Sequence, residues 1–160
     1  MDLLLWLDRS GLAQLVRQSL YPFIQIVHIT SFAVLVGAVA IFDLRLLGYF
    51  PKLPVFEMAK SLLPLARHSF GFVTLSGFLL FSAQPTVLAA NPAFQLKLLL
   101  IIAAGVNAVT FHVGPFRSMK RWKHHAKVPT SARIIAALSL SLWIAVIACG
   151  RMIAYSSYFM

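Results

Sequence analysis

Apolar residues fill this chain in long blocks, and the polar ones gather between the blocks. Four blocks are long enough to cross a bilayer, which takes about 20 mostly apolar residues. The first runs from Tyr21 to about Phe42 and closes on "DLRLLG". The second runs from about His68 to Ala83, the third from Leu96 to Val113 and the fourth from Ile134 to Ala148. With their polar ends the spans become about 21–47, 64–84, 94–114 and 131–154. The second is short, and gains length if its helix continues back through "VFEMAKSLLPLAR". Helices are the expected form, because backbone groups in lipid must pair within their own segment. The short alternating segments of a β-barrel are absent. The expected fold is an all-α membrane protein, a four-transmembrane-helix bundle forming one domain over residues 1–160.

Ahead of the first block, Leu4, Leu5, Leu12, Leu15 and Val16 approach helical spacing, and Trp6 is an aromatic suited to the membrane interface. This predicts a short interfacial helix over 1–20, followed by a break near Pro22. Pro64 is expected to kink or start the second helix. Asn91, in the turn "NP", is placed to cap the third. Acidic residues in "MDLLLWLDRSG" stand where a signal peptide would be basic, so the segment reads as retained.

Composition sharpens this picture. The chain is 60% hydrophobic and only 11% charged, too apolar for an ordinary soluble domain. A net charge of +10 in a soluble protein would point to nucleic acid. Here the basic residues lie in the loops, so membrane orientation explains them and no nucleic-acid partner is expected. Arg45, Lys52, Lys60 and Arg67 sit between spans one and two. Arg117, Lys120, Arg121, Lys123, Lys127 and Arg133 sit between spans three and four. The other side carries only Arg9, Arg17, Lys97 and Arg151. The positive-inside rule then places the two rich loops in the cytoplasm and both termini on the outer, periplasmic side of a bacterial inner membrane. The single cysteine, Cys149, lies in an apolar run and permits no internal disulfide.

Polar residues inside spans are the candidate chemistry, because lipid penalises them. They are His28, Asp43, Asn107 and His112, with His68 close behind. His28 lies about 10 Å below the outer surface and His112 about 7 Å inside the cytoplasmic boundary, from the helical rise per residue. His68 to Gln84 and Leu96 to His112 are both sixteen residues, which sets His68 and His112 at matching heights on antiparallel helices. Two imidazoles at one depth are what a bis-histidine haem b needs, and Arg67 and Arg117 can pair with its propionates. A directly bound metal ion and plain polar or interfacial roles are the alternatives. His28 is a candidate outer ligand or quinone contact, with Met152 and Tyr155 as neighbours, or else is bonded to a serine or threonine such as Thr30 or to a backbone carbonyl on a neighbour. Asp43 with Arg45 and Arg67 reads as an ion pair closing the cytoplasmic end, or as a proton entry site. Asn107 is expected to bond across helices and Lys97 to snorkel outward. His124 and His125 follow "RSMKRWK", a loop attracted to anionic lipid with Trp122 at the interface, or a surface metal site with His112. Zinc-protease, nucleotide-binding and nucleophile-elbow motifs are absent.

Three stretches together carry a resemblance: "VHITSFAVLVGAVAIFDLRLLG", "GFVTLSGFLLFSAQPTVLAANPAFQLKLLL" and "AGVNAVTFH". They resemble a family of uncharacterised small bacterial four-helix inner-membrane proteins. That resemblance implies a four-helix membrane protein with no established activity, and directs attention to His28, Asp43, Arg45, Asn91, Lys97, Asn107 and His112. More loosely, the layout is similar to the b-type di-haem membrane cytochromes. It departs from them in having no histidine in span four. The leading functional expectation is a small haem electron-transfer subunit, linked to quinone or to a periplasmic redox protein. The alternatives are a non-catalytic subunit or anchor of a larger complex with other membrane subunits, and a copper or small-solute transporter.

Overall fold

In a computed structural model the described residues are 2–118 and 128–156, and all their regular structure is helical. The elements are α1 (Asp2–Asp8), α2 (Gly11–Leu15), α3 (Tyr21–Leu47), α4 (Val55–Ala83), α5 (Pro85–Ala90), α6 (Pro92–Val113), α7 (Pro115–Ser118) and α8 (Thr130–Ser156). Three helical stretches are long and apolar enough to cross a membrane: Gly11–Leu47, Pro92–Arg117 and Thr130–Tyr155. Helix α4 has the length, at 29 residues, but carries Glu57, Lys60, Arg67 and His68 in its first half.

The chain breaks at Ser10, not at Pro22. Ser10 caps α2 by accepting from the Ala13 N–H at 3.1 Å, and its hydroxyl donates to Leu7 O at 2.6 Å. From Gly11 the helix continues through a π turn over Val16–Leu20 into α3. Pro22 stands in the first turn of α3, where a missing N–H and a fixed φ do least harm, and the widened turn before it absorbs the lost bond. The N-terminal unit is fastened by Arg17. Its guanidinium donates to Ala83 O at 2.7 and 3.0 Å and pairs with Asp8 at 2.8 Å. Leu3, Leu5 and Trp6 on α1 are exposed.

Three other ends follow local rules. Gly48, at φ +115°, closes α3 with Gly48 N donating to Arg45 O and Tyr49 N to Leu44 O. That left-handed conformation suits glycine. Asn91 caps α6 as expected, its side chain accepting from Ala93 N at 2.9 Å, with Pro92 in the first turn. The connection between α4 and α6 holds one more turn of structure than its "QP" and "NP" signals indicate, the helix α5. Pro64 neither starts nor stops α4, which begins at Val55 and runs through it.

Helix α3 packs along α4, α6 packs along α8, and α3 meets α8 between the two pairs. Phe42, Leu46, Ala59, Phe111, Ala132 and Ala136 form a core at the end of the bundle that holds the α3–α4 loop. Leu35, Ala38 and Ala66 form a second, at mid-height, against Leu62, Val73 and Trp143. Small residues at these contacts let the backbones approach, as membrane bundles require. Large apolar side chains face outward instead: on α6 alone, Leu99, Ile102, Val106, Val109 and Val113 are all more than half exposed.

Candidate functional site

The polar residues of the spans sort into two layers. The first layer centres on His28. Its Nδ1 lies 2.9 Å from Ser76 Oγ, on α4. Ser76 has one hydroxyl proton, which goes to Phe72 O at 2.6 Å. With that proton so placed, Nδ1 is the donor to Ser76. The partner is a serine, one of the partners expected for it, and it stands on the facing helix. The imidazole also packs against Gly77, where a Cβ would stand 3.1 Å from Cε1. Lys97 reaches in from α6. Its charge acts on His28, and its Nζ lies 3.9 Å from where a Cβ on Gly150 of α8 would be. Four helices thus contribute to this layer. Met152 and Tyr155, the neighbours expected from α8, are exposed.

The second layer is Asp43 on α3, Ser139 on α8 and Asn107 on α6, all buried. Asn107 Nδ2 donates across the helix interface to Ile135 O at 3.1 Å, one turn before Ser139. This is the interhelical bond expected of it. The Ser139 hydroxyl reaches the Asp43 carboxyl. The expected ion pair is not formed. Arg45 is two residues from Asp43, and side chains at that spacing leave a helix in different directions. Its Nε donates to Leu53 O at 2.6 Å and its Nη2 to Pro51 O at 3.3 Å, so it ties down the α3–α4 loop. Arg67 is exposed on α4. Among the described residues, the ion pairs are Arg17–Asp8 and Lys60–Glu57.

The two histidines matched in height are not matched in packing. Helix α4 lies against α3, and α6 against α8, so His68 and His112 stand on helices that are not packing partners. His68 is exposed. His112 is half-buried, with Nδ1 2.8 Å from Ala108 O of its own helix and its ring 5.1 Å from that of Phe116. A groove of about 200 Å³ lies near this end, lined by Phe56, Ala59, Lys60, Leu63, Pro64, Arg67 and Phe116. Cavities enclosing ligands of drug size run to roughly 300–1,000 Å³, so it is small for a haem. The described residues hold no group of three or more His, Cys, Asp or Glu placed to bind a metal ion. Trp122, His124 and His125 lie outside the described residues.

Sequence reasoning passed over Ser76 and Ser139. Serine is common in membrane helices, and only the facing helix distinguishes one that bonds from one that does not.

No curated protein and no solved structure matches the chain at significance. A family does match, over residues 11–156, which takes in both polar layers and every long helix: the chain belongs to the family described as Family of unknown function (DUF6644).

Proposed function

We propose that the chain is a non-catalytic membrane subunit: a four-span bundle, α4 included, with both termini on the outer side and the basic loops in the cytoplasm. The observation that carries this reading is where the intramembrane polar groups go. His28 bonds Ser76 between α3 and α4, Asn107 bonds Ile135 O between α6 and α8, and Ser139 meets Asp43 between α8 and α3. Each packed pair of long helices has one such tie. In lipid, where apolar surface alone gives helices little reason to associate, such bonds hold a bundle together. The outward row on α6 at three- and four-residue spacing suits lipid or a partner helix, which fits a component of a larger membrane assembly.

One observation favours the haem b reading. His112 has Nδ1 held by a backbone carbonyl, the way a metal-ligating imidazole is commonly oriented, with Nε2 left over. Against it stand the exposure of His68 and the separation of α4 from α6. The absorption spectrum of the purified protein separates the two readings. The subunit reading expects no Soret band. A Soret band that shifts on dithionite reduction and disappears in His112→Ala would replace it with an electron-transfer subunit.

A further inference from the structure

One intramembrane polar atom, a single oxygen of the Asp43 carboxyl, is not accounted for by helix-to-helix bonding. Asp43 is 5% exposed, and its Oδ2 has no hydrogen-bond partner. The polar group at the carboxyl is the Ser139 hydroxyl. Among the described residues, the basic groups at this end bond elsewhere, and His112 of α6 lies on Ala108 O. Arg45 is held on Leu53 O and Pro51 O, and Arg133 of α8 donates to Leu47 O at 3.0 Å. The titratable groups of α4 at this end, Glu57, Lys60, Arg67 and His68, are exposed on its outer surface, and so is Lys52 in the loop before it. His28, on the same helix as Asp43, is about 22 Å away by helical rise.

A buried carboxylate without a counter-charge is strongly disfavoured, and removing one member of a buried pair is costly for that reason. Evolution tolerates such a group inside a membrane chiefly where it has a task. The counter-charge must be small, because Asp43 is buried. It must also suit oxygen donors, since Ser139 stands at the carboxyl and Asn107 binds one turn from Ser139. We propose that Asp43 and Ser139 form a binding site for a small monovalent cation, a proton or a sodium ion, in the cytoplasmic half of the bundle. This goes beyond the role of a subunit held together by polar ties: it gives the bundle a site through which an ion gradient can act on it.

The test is infrared difference spectroscopy of the full chain in lipid nanodiscs. One series steps pH between about 6 and 9, above the range where exposed aspartates titrate. The other exchanges potassium for sodium at constant pH. The chain has only four Asp and Glu residues, so the Asp43 signal can be isolated by difference against Asp43→Asn. The expected result is a carboxyl band, lost in that variant, that responds in one series. Response to pH identifies a proton, and response to sodium identifies a sodium ion. Difference spectra of wild type and Asp43→Asn that superimpose in both series overturn the site. Should Asp43→Asn fail to fold, the band is read in wild-type protein labelled with ¹³C-carboxyl aspartate and compared with Ser139→Ala, which keeps the carboxyl and removes the hydroxyl. A shifted band in Ser139→Ala supports the two-residue site, and an unshifted one overturns it.

Discussion

Replacing Gly77 with alanine isolates the contact between α3 and α4 better than removing any polar group. The added Cβ would stand 3.1 Å from His28 Cε1 and 3.6 Å from Nδ1. Ordinary carbon contacts begin near 3.5 Å, so the ring must retreat by roughly 0.4 Å or more. Retreat lengthens the 2.9 Å bond to Ser76 and takes it toward the edge of useful geometry. Overpacking of this kind typically costs about 1–3 kcal/mol. Against it stands the ordinary gain from removing a mid-helix glycine, about 0.5–1 kcal/mol. Gly71 lies on the same helix with nothing within 4 Å of its Cβ position. Gly71→Ala therefore shows the propensity gain alone. The predicted result is that Gly77→Ala is less stable than Gly71→Ala by about 1–3 kcal/mol. The assay is reversible unfolding in mixed micelles, followed by circular dichroism. In a His28→Ala background the difference should collapse, because the ring is gone. Equal stabilities for the two glycine variants in the wild-type background would refute the close packing of His28 on α4.

Two further perturbations test the ends of the bundle. Arg17→Ala removes two bonds to Ala83 O and the pair with Asp8, and should free the N-terminal unit without unfolding the spans; faster amide exchange over residues 2–15, with that of α6 and α8 unchanged, is the expected readout. Asn91→Ala deletes the side-chain cap of α6 and should cost about 0.5–2 kcal/mol, most of it recovered by Asn91→Asp or Asn91→Ser.

Much of this architecture was legible in residue order, and the reasons are local. The long apolar blocks locate α3, α6 and α8, and "NP" locates the cap of α6, since caps and spans depend on nearest neighbours along the chain. Pro22 misled because proline breaks a helix interior but is tolerated in a first turn, and the π turn over Val16–Leu20 made a first turn out of what looked like a boundary. Asp43 and Arg45 looked like a pair because opposite charges lay close in sequence. A spacing of two residues sends them in different directions, and free loop carbonyls competed for the arginine. His68 and His112 show the remaining limit. Height along a bundle follows from counting residues, but which helices touch is settled by packing, and here α4 chose α3 while α6 chose α8. Ser76 and Ser139 gained their meaning from that same pairing.

The central claim is that the intramembrane polar residues hold the helices to one another. It is tested most directly by a double-mutant cycle of His28→Ala and Ser76→Ala, with stability measured by steric trapping in bicelles. Interhelical hydrogen bonds in membranes contribute on average about 0.6 kcal/mol and at most about 1.7. The account predicts a stabilising coupling energy in that range, in a protein without a Soret band. A coupling energy of zero, with each single variant as stable as wild type, would contradict it.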